Sequence, residues 1–190
     1  CILYFRISSD LVPFASHPVC AYPWQREFKR EFGEIGAFVK ENGMRVTMHP
    51  DQFILINPVD EGIYERSAAE LLYHAQVLEL MGLDHSNKLQ IHVGGVYGDK
   101  AASMDRFVSR YRELPAAVRR RLVVENDERS YGLADCLEVS GRTGVPVVFD
   151  TLHHAANNHG EKLREGLKVA GSTWEEKDGL PMVDYSSQKK

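Results

Sequence analysis

The chain has 190 residues, 43% hydrophobic and 26% charged, with a formal net charge of −4, which fits one globular domain with a substantial core. No apolar stretch approaches the roughly 20 residues that a membrane-spanning helix needs, and the scattered cysteines Cys1, Cys20 and Cys136 form neither a disulfide framework nor a CxxC metal pattern, which points to a reducing cytoplasm. The negative sum argues mildly against bulk attraction to nucleic acid, yet a local basic rim or bound metal ions can invert the field where phosphates lie.

Strand-like and helix-like segments alternate. Residues 2–7 read as the first strand. Residues 25–42 carry Phe28, Phe32, Ile35 and Val39 on one helical face and stop at Gly43. Residues 45–48 form the second strand and run into His49. Residues 63–81 give the clearest helix, with Ala68, Leu71, Leu72, Ala75 and Leu78 on its buried side and Gly82 at its end. Residues 88–92 form the third strand, and 100–113 a helix that closes before Pro115. The fourth strand, 122–125, precedes a short helix at 133–140. The fifth, 145–150, tolerates Pro146 at its start. Residues 162–170 are helical, and 181–184 form the sixth strand.

Five of these apolar runs end on a residue able to hold a metal: His49, His92, Glu125, Asp150 (with His153 three positions on) and Asp184. A buried strand that stops on His, Glu or Asp delivers one ligand at its carboxyl end. The repetition predicts an α/β fold, a TIM (β/α) barrel with a metal site at the top of its strands. The ligand positions recur after 43, 33, 25 and 34 residues, which suits βα units. About six of eight units are present, so residues 1–190 read as a single, incomplete barrel domain lacking the first and last strands. Two open strand edges would suit an edge-paired dimer of such a fragment, and a monomer is expected of the full-length protein.

His49, His92 and Glu125 form a first candidate set, since two imidazoles and a carboxylate suit zinc or manganese. Each alone could equally be a satisfied core residue. Asp150 and His153 form a second set, with Asp150 alternatively a helix N-cap. Glu125 or Asp150 could bridge two metals about 3.5–4 Å apart, as two-metal phosphodiester cleavage requires. His154 and His159 read as loop residues. Gln52 and Phe53 lie in the loop after His49, where an amide beside an aromatic ring could fill the gap left by extruded bases; Phe53 could equally pack on the barrel rim. The glycines before Lys100 could admit a phosphate. The triplet Arg119-Arg120-Arg121 precedes a strand and so falls on the opposite, bottom face as a solvated edge. Arg6 near the end of the first strand, and Lys100 and Arg129 after later strands, are the candidate phosphate contacts.

Several segments together resemble the UV damage endonuclease family: Arg6-Ile-Ser-Ser-Asp-Leu-Val-Pro13 through Ser16-His17-Pro18, His49-Pro-Asp-Gln-Phe53, Ile91-His-Val-Gly-Gly-Val-Tyr-Gly-Asp-Lys100, Val124-Glu-Asn-Asp127, Phe149-Asp-Thr-Leu-His-His154, and Asp178-Gly-Leu-Pro-Met-Val-Asp-Tyr-Ser-Ser-Gln188. The resemblance implies a DNA-repair nuclease on a TIM barrel that nicks double-stranded DNA 5′ of pyrimidine dimers, in the cytoplasm at the nucleoid. It implies two or three divalent metals, manganese first with zinc or magnesium as alternatives. Carried over, His49, His92, Glu125, Asp150, His153 and Asp184 are ligands, with His49, His92, Glu125 and Asp150 at the reacting centre. Gln52 and Phe53 are the lesion probes, and His17 lies at the rim. Met182 and Asp184 stand where some relatives have a modified Lys and a His, which puts a third metal in question. Two other readings remain: a metal-dependent sugar isomerase, which would need an interior catalytic Lys at a strand end, and a truncated core that binds without cutting.

Overall fold

In the computed structural model, residues 3–186 are described; Ile2 of the first expected strand, Cys1 before it, and the Ser187-Gln188 end of the last matching segment lie outside them. Short β-branched and aromatic runs alternate with helices. They give β1 (Tyr4–Ile7), α1 (Trp24–Glu27), α2 (Lys29–Glu41), β2 (Arg45–Met48), α3 (Glu61–Leu80), β3 (Leu89–His92), α4 (Lys100–Glu113), α5 (Ala116–Arg119), β4 (Leu122–Glu125), α6 (Leu133–Thr143), β5 (Val147–Asp150), α7 (Thr151–Ala156), α8 (Leu163–Gly171) and β6 (Val183–Asp184). The six strands form one sheet in the order β1-β2-β3-β4-β5-β6, all pairs parallel. This is an α/β half-barrel, curled with its helices outside. In-register pairs such as His92 with Glu125 and Asp150 with Asp184 bring the strand ends level. Among the described residues no helix is long and apolar enough to cross a membrane.

Alternation along each strand sorts side chains between two layers. Leu122, Val124, Val147 and Phe149 join the large cluster under the helices. Val123, Val148 and Met182 form a separate cluster on the concave face, with Trp174 packed against it. Below them lies a polar floor. The fully buried Lys88 Nζ donates to Asp178 Oδ1 at 2.6 Å and to the Arg120 carbonyl at 3.1 Å. Arg45 donates to the carbonyls of Ser86 (2.7 Å), Asp178 (3.0 Å) and Leu180. Both cations lie over the Trp174 ring, at 5.4 Å (Arg45) and 5.8 Å (Lys88).

Four expectations are corrected. The helix expected over 25–42 is two helices broken at Phe28. Phe28 and Ile35 are exposed, and the buried face is Phe32, Gly36 and Val39. A Cβ on Gly36 would stand 1.7 Å from the Met81 carbonyl oxygen, so glycine is what lets α2 cross the end of α3. Arg121 is not a solvated edge: it is buried, and its guanidinium donates to the carbonyls of Leu83 (2.8 Å), Asp84 (2.6 Å) and Asn87 (3.2 Å). His154 is no loop residue; it is buried in α7, with Nε2 3.0 Å from the Glu161 carbonyl.

Candidate metal centre

Glu125 is the hub. It ends β4 on the concave face and is almost fully buried. Its Oε2 lies 3.3 Å from His49 Nε2, 3.5 Å from His92 Nε2 and 2.7 Å from Gln90 Nε2. Its Oε1 lies 3.2 Å from His153 Nδ1. The donor atoms of His49, His92 and Glu125 all fall within 4.8 Å of one another, and so do those of Glu125, Asp150 and His153. Glu125 belongs to both groups. Burial alone would raise its pKa, but the His49 bond, the His92 charge and the Gln90 amide outweigh it and bring the carboxyl down to about 2. Burial pushes His49 down, and the Glu125 bond and Pro50 carbonyl more than reverse that. His153 is likewise raised, with Asp150, the Asn126 carbonyl and the Glu125 charge overcoming burial.

Local structure fixes each donor. His49 Nδ1 stands 2.9 Å from the Pro50 carbonyl; donating there leaves an Nε2 lone pair facing a carboxylate oxygen, which needs a proton or a cation between them. Asp150 serves two ends at once. Its Oδ1 accepts from Leu152 N and His153 N, both at 2.7 Å, and so caps α7. Its Oδ2 stands 3.8 Å from His153 Nδ1. The N-cap and the cluster position therefore use different oxygens of one carboxylate. Three imidazoles and two acids make a borderline-hard donor set that fits manganese or zinc.

Asp184 lines the same cavity of about 500 Å³, as do Arg6, Tyr4 and Tyr185. It belongs to neither donor group. Arg6 Nη2 donates to its Oδ1 at 2.9 Å and Oδ2 at 3.1 Å.

Sequence reasoning passed over two buried amides. Gln90 sits two residues before His92, on the same strand face, and that period-two relation is the signal that could have found it. Asn126 Oδ1 accepts from Asp150 N at 2.9 Å, its Nδ2 donates to the Asp150 carbonyl at 3.1 Å, and its own carbonyl lies 2.9 Å from His153 Nδ1. It locks β4 to β5 at the cluster.

Around the mouth, Phe53 is 72% exposed and does not pack down on the rim. His17 and Phe53 line one groove of about 670 Å³. Gln52 and Arg129 line another, beside His92. Asp127 shapes the loop that presents Arg129, accepting from Arg129 N at 2.8 Å and Tyr131 N at 3.0 Å. Lys100 is turned to other work: its Nζ bonds Asp135 at 2.7 Å and lies 5.3 Å from the Tyr131 ring centre. Gly94, six residues earlier, also has a packing role, since it has φ +118° and a Cβ there would stand 2.2 Å from Asn57 Oδ1.

The sequence profile of the family described as UV-endonuclease UvdE matches residues 1–190. The chain is 39% identical over 189 residues to a UV DNA damage endonuclease of Clostridium perfringens, covering 98% of this chain and 46% of the relative. It is 38% identical over 186 residues to the Bacillus pumilus protein of that name, covering 97% of this chain and 58% of the relative. The chain thus spans about half the length of these relatives. Among solved structures, the crystal structure of SacUVDE superposes with a TM-score of 0.94 at 44% identity, over 99% of this chain and 63% of that one. A D-psicose 3-epimerase from Clostridium cellulolyticum H10, at TM-score 0.64 and 17% identity over 90% of this chain and 60% of that one, shares the fold. This chain belongs to the UV-endonuclease UvdE family.

Proposed function

We propose that the protein carrying this chain is a divalent-metal-dependent DNA-repair endonuclease that nicks the backbone 5′ of UV photoproducts in cytoplasmic, nucleoid DNA. The observation that carries this reading is the double membership of Glu125, one carboxylate shared by two adjacent donor groups. His49, His92 and Glu125 would hold one ion; Glu125, Asp150 and His153 would hold the second. Manganese suits the set, with zinc or magnesium as alternatives. When bound, such ions supply a nucleophile at neutral pH and neutralise charge on the phosphoryl oxygens.

The chain's own residues do the rest. Gln90 holds Glu125, and Asn126 holds Asp150 through its backbone N–H and carbonyl. Arg129 at the mouth and Arg6 on the cavity wall take backbone phosphates. Gln52 and Phe53 enter the duplex where extruded bases leave a gap, which costs least where damage has weakened stacking. His17 flanks the groove beside Phe53. Lys100 contributes only by leaving Asp135.

The sugar-isomerase reading needs an interior Lys at the carboxyl ends of the strands. The buried Lys88 lies at the amino end of β3, bound to Asp178 in the floor.

Glu125→Gln tests the assignment. Incision of UV-irradiated supercoiled plasmid should fall below detection while the circular dichroism spectrum is kept. Nicking at the wild-type rate would refute it.

A further inference from the structure

Asp184 is the one acid of the cavity left out of both donor groups, and its oxygens show why. Arg6 Nη2 reaches both, at 2.9 and 3.1 Å, and Gln90 Nε2 donates to Oδ2 at 2.5 Å. Gln90 is fully buried and uses every polar atom it has. Its two amide hydrogens go to Asp184 and to Glu125 Oε2, and its Oε1 accepts from Arg6 Nη2 at 3.1 Å. The amide is a spacer between two acids and a support for one guanidinium. Among the described residues Arg6 donates to Asp184 and Gln90 through Nη2, while its side chain is 37% exposed on the cavity wall. Among the described residues Nη1 and Nε make no ion pair, and the guanidinium lies near the Tyr4 side chain.

We propose that Asp184 is not a metal ligand in this chain: with Gln90 it anchors Arg6 as a resident cation at the edge of a two-ion centre, where Arg6 binds a backbone phosphate of the DNA. This rests on the nuclease reading above and deepens it. A carboxylate already matched by a guanidinium and an amide has little charge left to offer a dication. A dication placed there would also face a guanidinium, which stays charged at every working pH and cannot be titrated away. The guanidinium stays with Asp184 through Nη2 and keeps the Nη1 hydrogens for a phosphate oxygen. Arg6 and Asp184 come from the two edge strands of the sheet, so the pair also spans the cavity from side to side.

Manganese uptake separates the possibilities. Equilibrium dialysis with elemental analysis should find two ions per wild-type chain. Asp184→Asn should keep both, with affinity changed by less than about twofold; Asp184→Ser repeats the test if the Asn variant melts early. Arg6→Gln should also keep both ions. Its affinity for a fluorescent, uncleavable phosphorothioate duplex carrying a UV dimer should fall about tenfold, and the slope of log K against log salt should shrink by about one phosphate contact. Three ions in the wild type, an ion lost or a tenfold weakening in Asp184→Asn, or an unchanged salt slope in Arg6→Gln would overturn the inference. A wild-type chain that takes up no manganese would instead refute the metal nuclease itself.

Discussion

Both amide hydrogens of Gln90 go to carboxylates, so this uncharged residue sets where Glu125 can stand. Replacing it with Leu keeps the volume and removes three hydrogen bonds. Partners that orient metal ligands in this way are worth about 10–100-fold in affinity. Gln90→Leu should therefore weaken manganese binding by about that factor in isothermal titration, with secondary structure retained. Residue by residue, the convergence of His49, His92, Glu125 and Asp150 was legible because each closes an apolar run at the same end of its strand. Gln90 was not, because inside the run it reads as a blemish in the apolar pattern rather than as part of the His92 face. Arg121 misled for the opposite reason. A basic triplet looks solvated, and only the distant turn at Leu83, Asp84 and Asn87 supplies the carbonyls that let one guanidinium go inside.

The junction of β5 and α7 shows how much one element boundary can carry. Asp150 ends the strand, caps the helix through Oδ1 and offers Oδ2 to the cluster. The two roles can be split. In metal-free buffer, Asp150→Ser should unfold in urea near the wild-type midpoint, because Ser also caps, whereas Asp150→Ala should lose about 1 kcal/mol. Both should lose manganese affinity alike. Equal urea midpoints for the two variants would show that the cap contributes nothing. At this scale β2, α4 and β4 were legible at their observed limits, since turn residues and apolar periodicity agree there. The six-residue α7 was not, being too short for helical periodicity to emerge. The break at Phe28 was hidden because the apolar spacing runs straight through it, and only the backbone departs from helix, at φ −98° and ψ 10°.

For the molecule as a whole, the parallel order of strands and the level of their ends were readable from the alternation of elements, and the shared rim follows from that order. What ties the first strands to the last segment was not readable, because it depends on two arginines meeting partners far along the chain. Arg6 reaches Asp184 across 178 positions, and Arg45 reaches the Asp178 carbonyl across 133. The five cluster residues all fall between positions 49 and 153. Closing long loops is entropically costly and delays the contacts that need them. The arginine clasps therefore belong to the end of folding, after the rate-limiting barrier. Arg45→Ala should lower stability by about 2 kcal/mol, and nearly all of that should appear as unfolding roughly thirtyfold faster, with the refolding rate hardly changed, as read by stopped-flow fluorescence of Trp174 beneath it. On this order of events the cluster's donors come together before the first and last strands are joined. The clasps then lock an assembly that has already formed, so a worn clasp shortens the lifetime of the folded chain without hindering its birth.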